Sequence, residues 1–352
     1  METNYWHQLT DGRIQCDLCP RACKLHEGQQ GLCFVRACEN HQIILTTYGR
    51  SSGFCIDPIE KKPLHHFYPG TSVLSFGTAG CNLSCKFCQN WDMSKSREMD
   101  TLCATGSPTE LVDAAKRYDC KSLAYTYNDP VIFLEYARDI AIVAKQQSIK
   151  SVAVTAGYIS PEPRVEFFKN MDAVNIDLKS FNSDFYHQLC GGDLQTVLDT
   201  LLYIHHETSV WLEITTLLIP GKNDSDEEIK ALAGWIAKHL GCHIPLHFSA
   251  FHPDWKMNDI PATPGHTLSK ARQLAMAEGM QFVYTGNVHD AEGGSTWCPD
   301  CNALLIERDW YQLGHWGLDE NACCSQCGYQ LPGHFDERPG NWGAKRLPIR
   351  LN

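Results

Sequence analysis

The stretch Gly77-Thr78-Ala79-Gly80-Cys81-Asn82-Leu83-Ser84-Cys85-Lys86-Phe87-Cys88 places three cysteines within eight residues, at Cys-x3-Cys-x2-Cys spacing. So short a loop brings three thiolates onto one metal cluster and supplies no fourth. Thiolates suit iron–sulfur clusters, which normally take four cysteine ligands. Three leave one iron open to a substrate or cofactor. Structural zinc wants four ligands, and no fourth lies nearby in sequence. Gly77 and Gly80 let the backbone bend close to such a cluster. The expectation is a [4Fe-4S] cluster on Cys81, Cys85 and Cys88, with the aromatic Phe87 beside the last ligand.

Outward from this loop the chain alternates strand-like and helix-like stretches. Short apolar runs at Val73–Phe76, Ser122–Tyr127, Ser151–Thr155, Ala173–Leu178, Val210–Thr216, Leu246–Phe251 and Gln281–Tyr284 read as strands buried on both faces. Helix starts are signalled between them. Ser107-Pro108 with Glu110 is an N-cap, Asp129-Pro130 opens a helix to about Gln147, and Ser225 with Glu228 predicts a capping box. Alternating β and α implies a parallel sheet, closed or partly open as a barrel or doubly wound. In either arrangement the working face lies at the strand C-termini, where the cysteine loop falls.

The chain divides into residues 1–70, a Cys-rich metal-binding region; 71–290, the β/α segment; and 291–352, a zinc-ribbon-like module. With 352 residues, 43% of them hydrophobic, it buries at least one large core. No apolar run approaches the ~20 residues that span a bilayer, and residues 1–13 carry no apolar export signal. A net charge of −11 argues against broad nucleic-acid binding, which needs a basic face. The eighteen cysteines cluster at metal-ligand spacings in an enzyme-sized chain, which favours reduced, metal-bound thiols and the cytosol over a secreted disulfide framework.

Two further cysteine sets flank the central loop. Cys298-x2-Cys301 and Cys324-x2-Cys327 are separated by 22 residues, close to zinc-ribbon spacing. Gly328 and Asn302 are suited to the left-handed turn after each knuckle, and spacing prefers Cys324 to Cys323. Cys16, Cys19, Cys23 and Cys33 are less decidable. Four thiolates there serve zinc or an auxiliary [4Fe-4S] cluster, since Cys-x2-Cys-x3-Cys is similar to part of a ferredoxin run. Of the two, zinc or another structural metal is preferred by a narrow margin, with Cys38 and Cys55 as stand-in ligands.

Cys-x3-Cys-x-aromatic-Cys resembles the signature of the radical S-adenosylmethionine (SAM) superfamily. The resemblance implies a partial (β/α)6 TIM-like radical SAM barrel. It also implies SAM chelating the open iron and being cleaved by one electron to a 5′-deoxyadenosyl radical that abstracts a substrate hydrogen. Other motifs fall in the superfamily's order. Asn128-Asp129-Pro130 stands at the second strand end, where residues hold the SAM amino group; Asp129 replaces the usual Glu. Ala156-Gly157 stands at the third, with Ala156 in place of the usual Asn. Asp177-Leu178-Lys179 stands at the fourth and is similar to the Asp-Leu-Lys of glycyl-radical activating enzymes. Glu213 lies on the fifth, and Asn287 at an adenosine-side end. The implied cofactor-binding set is therefore Phe87, Asn128, Asp129, Gly157, Asp177, Lys179, Glu213 and Asn287. His247 and His252 are weighed as pocket-lining against structural.

With its flanking cysteine modules the chain resembles the radical SAM enzyme of the AmmeMemoRadiSam system, itself similar to pyruvate formate-lyase activating enzymes. That implies AMMECR-like and Memo-like partners, a small-molecule or peptide substrate, and a flavodoxin or ferredoxin as electron donor. The alternatives are an activase that makes a glycyl radical on a partner protein, and a non-catalytic zinc-binding scaffold.

Overall fold

All seven apolar runs form strands: β1 Ser72–Phe76, β2 Ser122–Tyr125, β3 Lys150–Thr155, β4 Ala173–Asp177, β5 Trp211–Leu218, β6 Leu246–Ala250 and β7 Val283–Gly286. The computed structural model describes residues 1–99 and 102–351. Each strand pairs in parallel with the next one in sequence. The crossovers carry α1 Pro108–Arg117, α2 Leu134–Gln146, α3 Pro161–Phe168, α4 Leu194–Glu207, α5 Asp226–His239 and α6 Gly265–Ala277. Strand order never reverses, which excludes a doubly wound sheet. Right-handed crossovers running one way curl a twisted sheet into a partial barrel. β1 and β2 are buried at every position.

The barrel is open. On the β1 side the sheet continues into Phe54–Pro58, antiparallel to β1, and then into Leu347–Ile349 from the far end of the chain. Strand pairing therefore runs across the boundary near residue 70. One apolar core extends from Ile14 through the barrel to Val283. A second, smaller cluster joins Phe282 and Tyr284 to Leu305, Ile306 and Cys298. Arg36, 1% exposed, ties the N-terminal segment to α2 through Glu135 and the Ile132 carbonyl. No helix among the described residues is long and apolar enough to cross a membrane.

Local signals held with two amendments. Ser107 and Glu110 make the reciprocal capping box of α1. Ser225 caps α5 through the Glu228 amide, but the box is half-built. The Glu228 carboxylate instead accepts from Ser180 and from the Phe181 amide, tying α5 to the loop after β4. Asp129-Pro130 opens a 3-10 turn, Pro130–Phe133, before α2 begins.

Candidate active site

The loop after β1 is shaped by close backbone approaches. A Cβ on Gly77 would lie 2.4 Å from the Thr126 carbonyl oxygen, and one on Gly80 1.9 Å from that of Cys33. Gly80 also holds φ +81°, so no side chain fits there. Asn128 clamps the loop from β2: Thr78 donates its amide to Oδ1 at 3.1 Å, and Nδ2 donates to the Gly80 carbonyl at 2.8 Å. Asn128 thus holds the loop backbone and also lines the cavity below.

Cys81, Cys85 and Cys88 line one cavity of about 580 Å³ at the C-terminal ends of the strands. Among the described residues no three of these or other nearby ligand atoms lie within 4.8 Å of one another. That spacing is too wide for a single tetrahedral ion and leaves room for a cluster. The Leu83 amide faces the Cys81 sulfur at 3.5 Å, and the Ser94 hydroxyl lies 2.9 Å from that of Cys88. Burial pushes the Cys81 thiol up to about 12, with Asp129 adding to it. The Cys190 thiol hydrogen-bonds Cys85 and holds its pKa below the ordinary cysteine value, helped by Lys179 and Lys95. Cys190 itself does not line the cavity. Three cysteines alone, among the described residues, face it. Phe87, 3% exposed, packs on Phe185 at 5.5 Å.

Asp129, Asp177, Lys179 and Asn287 line the same cavity. Asp129 is 4% exposed. Its Oδ1 accepts from Thr155 at 2.8 Å and the Val131 amide at 3.1 Å, and its Oδ2 accepts from the Ala156 amide at 3.1 Å. Burial holds its pKa above the usual carboxylate value against those bonds. Lys179 Nζ lies 2.7 Å from Asp177 Oδ2. Burial works against that ammonium, but Asp177 and the Cys85 thiol raise its pKa overall. Asn287, at φ +59°, donates to the Ala250 carbonyl at 3.3 Å.

Two expected cofactor contacts stand outside this cavity. Gly157 turns the chain at φ +64°, its carbonyl held by Thr200, and leaves Ala156 as the lining residue. Glu213 lies deep in the sheet at 0% exposure. It accepts from the His65 and His66 amides at 2.9 and 2.8 Å, from Trp211 Nε1 at 3.0 Å, and binds His247 Nε2 at 2.7 Å. His247 binds Glu213 there and also lines a neighbouring cavity with Ser249 and Asn287, and His252 is exposed. Sequence reasoning missed the far wall of the cavity, where Lys62, Tyr127, Tyr311 and Arg346 gather. Lys62 is 2% exposed and binds Asp57 at 2.7 Å, as does the Tyr127 hydroxyl. Burial lowers the Lys62 ammonium to about 8 despite Asp57. No local pattern marks these residues, because they meet from four separate stretches of the chain.

Away from the cavity, Cys298, Cys301, Cys324 and Cys327 gather with all four sulfurs within 4.8 Å, the spacing of a closed single-ion site. Cys298–Cys327 is 3.5 Å and Cys301–Cys324 is 3.7 Å. Cys323 turns to Gln330, and Asn302 and Gly328 take the left-handed turns. Cys16, Cys19, Cys23 and Cys33 line another cavity, which excludes Cys38, facing Glu27, and Cys55, beside Asp57.

A singly wound open barrel with three cysteines after its first strand defines a radical SAM protein, and the radical SAM superfamily model matches residues 76–233. The chain belongs to this superfamily and is an enzyme, which sets aside the non-catalytic scaffold. It is 40% identical to an uncharacterized protein of Methanocaldococcus jannaschii over 94% of this chain and 98% of that one. It is 27% identical to a pyruvate formate-lyase-activating enzyme of Clostridium pasteurianum over 55% of this chain and 85% of that enzyme. In fold it is similar to Streptococcus suis SuiB bound to the precursor peptide SuiA, with TM-score 0.50 and 14% identity, over 65% of this chain and 51% of that one. Enzymes of this superfamily use a [4Fe-4S] cluster and SAM.

Proposed function

We propose that Cys81, Cys85 and Cys88 hold the [4Fe-4S] cluster, and that SAM binds in the cavity they line. When bound there, the pair supplies a 5′-deoxyadenosyl radical by one-electron cleavage of the sulfonium. The chain's own residues do the rest. Asp129, fixed by three donors, is held to accept from the SAM ammonium. The Lys179–Asp177 pair offers a cation and an anion to polar groups of nucleotide or substrate. Asn287 stands at the adenosine end, and Phe87 keeps the ligand loop dry. The observation that carries this reading is that three cysteines, Asp129, Lys179 and Asn287 share one cavity at the strand ends. Anaerobic reconstitution followed by reduction with SAM tests it: 5′-deoxyadenosine is released, and its absence would refute the reading.

The hydrogen donor is a small molecule or peptide reaching the wall formed by Lys62, Tyr127 and Arg346. The ordered motifs and the cysteine sets at both ends support a place in the AmmeMemoRadiSam system, with AMMECR-like and Memo-like proteins as associates and flavodoxin or ferredoxin as donor. The C-terminal quartet holds a structural zinc; four thiolates close its shell. Eighteen free cysteines suit a reducing cytoplasm. The Clostridium pasteurianum relative favours a second reading, an activase acting on a partner's glycine. That reading requires a stable glycyl radical on a co-expressed partner. Deuterium appearing in 5′-deoxyadenosine from a labelled small molecule instead would exclude it.

A further inference from the structure

We propose that a second cavity, beside the proposed SAM site, binds the carboxylate group of the substrate. It measures about 120 Å³, and Glu60, His65, His247 and Arg308 are among the residues that line it. Cavities of about 150 Å³ accept a benzene-sized guest, so this one has room for a small head group. Lys61, Pro63, Ser249, Asn287 and Tyr311 line both this cavity and the one that holds Cys81, Cys85 and Cys88. The two therefore adjoin, and a molecule anchored in the smaller extends toward the larger.

Three side chains of its wall are buried, fixed in place and incompletely bonded. Glu60, His65 and Arg308 are 3%, 8% and 1% exposed. The Gly70 amide donates to Glu60 Oε1 at 2.7 Å. Arg308 donates to the Thr296 hydroxyl and to the His65 carbonyl, both at 2.8 Å. The His65 ring packs edge-on against His247 and Tyr284, with centroids 4.6 and 4.5 Å away. Glu60 Oε2, His65 Nδ1 and Arg308 Nε are left buried without hydrogen-bond partners among the described residues. Orphaned buried polar atoms are costly, and three around one cavity mark what it receives.

Their chemistry selects an anion. The hydrogen-bond partners of the Arg308 guanidinium, a hydroxyl and a carbonyl, are uncharged, whereas a buried charge is normally paired. Burial pushes the Glu60 carboxyl up to about 7 against the pull of Arg308, so near neutrality it has a proton to donate. Burial, with Arg308 beside it, holds the His65 pKa well below its ordinary value, and the neutral ring has one N–H to give. Arg308 Nε, Glu60 Oε2 and His65 Nδ1 thus offer three donors to one carboxylate. At the junction of the cavities Lys61 and Lys62 share the single Asp57 carboxylate, at 3.1 and 2.7 Å, which leaves the approach net positive. Of the acids on the wall, Asp290 already accepts from Thr285 and the Gly293 amide, and Asp309 is exposed. Lys61, Glu213, His247 and Tyr311 are the other titratable groups that face Glu60.

The role in substrate binding rests on the function proposed above; the anion site does not. Carbon-13-labelled acetate, titrated into the reconstituted enzyme without reductant, reads the site by broadening of its resonance. Acetate should bind at pH 6 and acetamide should not; equal binding of acetamide would overturn the proposal. Loss of the Glu60 proton should weaken acetate about tenfold between pH 6 and pH 8. In Glu60→Gln an amide N–H stands in for that proton, so acetate should bind equally at both pH values. A variant as pH-sensitive as wild type would overturn the site. Arg308→Met should weaken acetate at least tenfold, and unchanged affinity in the folded variant would also overturn it; if that variant does not fold, Glu60→Gln decides. The compound that passes deuterium to 5′-deoxyadenosine should carry a carboxylate, and its primary amide should have a KM at least tenfold higher. A donor without a carboxylate would overturn the substrate role. Intact acetate binding with no 5′-deoxyadenosine release would instead fault the radical reading alone.

Discussion

Asp129 and Glu213 were both expected to meet the cofactor, and only Asp129 faces its cavity. Thr215 and Leu217, on the same side of β5 as Glu213, do line the cavity. Depth separates them. Glu213 lies two residues below Thr215, about 6.6 Å at strand rise, in a layer closed by His65, His66 and His247. Cys81, Cys85 and Cys88 were legible because their chemistry is packed into eight contiguous residues. The loop-clamping bonds of Asn128 were not legible, because a side chain that clamps a loop and one that binds a ligand leave the same mark at a strand end. For Asp129→Asn, a lost charge-assisted bond of about 1.5–3 kcal/mol predicts a KM for SAM raised at least tenfold with iron content unchanged. An unaltered KM would contradict its assigned role. Glu60 gives a pH test. Burial pushes its carboxyl up to about 7 against the pull of Arg308, and the Gly70 amide donates to it at 2.7 Å. The folded state therefore binds this proton more tightly than the unfolded one. The associated stability is present below about pH 4.5 and is lost as pH rises through 7. In Glu60→Gln the loss disappears, so thermal unfolding should show the variant gaining on wild type between pH 5 and 8, by on the order of 2 kcal/mol. A difference independent of pH would contradict this.

At the scale of elements, the seven strands were legible because each is a short apolar run between helix signals. The capping of the open barrel from beneath was not. It depends on residues 59–68, whose His65 and His66 amides bind Glu213 and whose His65 carbonyl accepts from Arg308 at 2.8 Å. No periodicity encodes a segment that works by capping a sheet from beneath. The Glu228 carboxylate shows the same limit: the capping signal is local, but Ser180 and Phe181 compete for it from another loop. Glu213→Ala leaves two amides, an indole N–H and an imidazole without their acceptor, and removing such a buried hub costs roughly 3–5 kcal/mol. Denaturant unfolding should show that loss, while the folded fraction keeps its KM for SAM. A raised KM at unchanged stability would return Glu213 to the cofactor site.

Over the whole molecule, three cysteine sets occupy three settings: one on the open barrel face, one behind it, and one in the small C-terminal cluster. Their spacings in sequence announced metal binding, but only sulfur separations distinguish a single-ion site from wider ones. Cys301→Ala opens the C-terminal quartet, and we expect it to lose its zinc and to unfold at lower temperature, with the central cluster intact. Undiminished zinc and an unchanged Tm would count against a structural ion there. The central claim is that three thiolates leave one iron free for SAM. Electron paramagnetic resonance of the reduced, anaerobic protein tests it most directly. Wild type should show a [4Fe-4S]1+ signal whose shape changes on adding SAM, and Cys85→Ala should lose that SAM-responsive signal together with 5′-deoxyadenosine release. A wild-type signal indifferent to SAM, or Cys85→Ala cleaving SAM at the wild-type rate, would contradict the account.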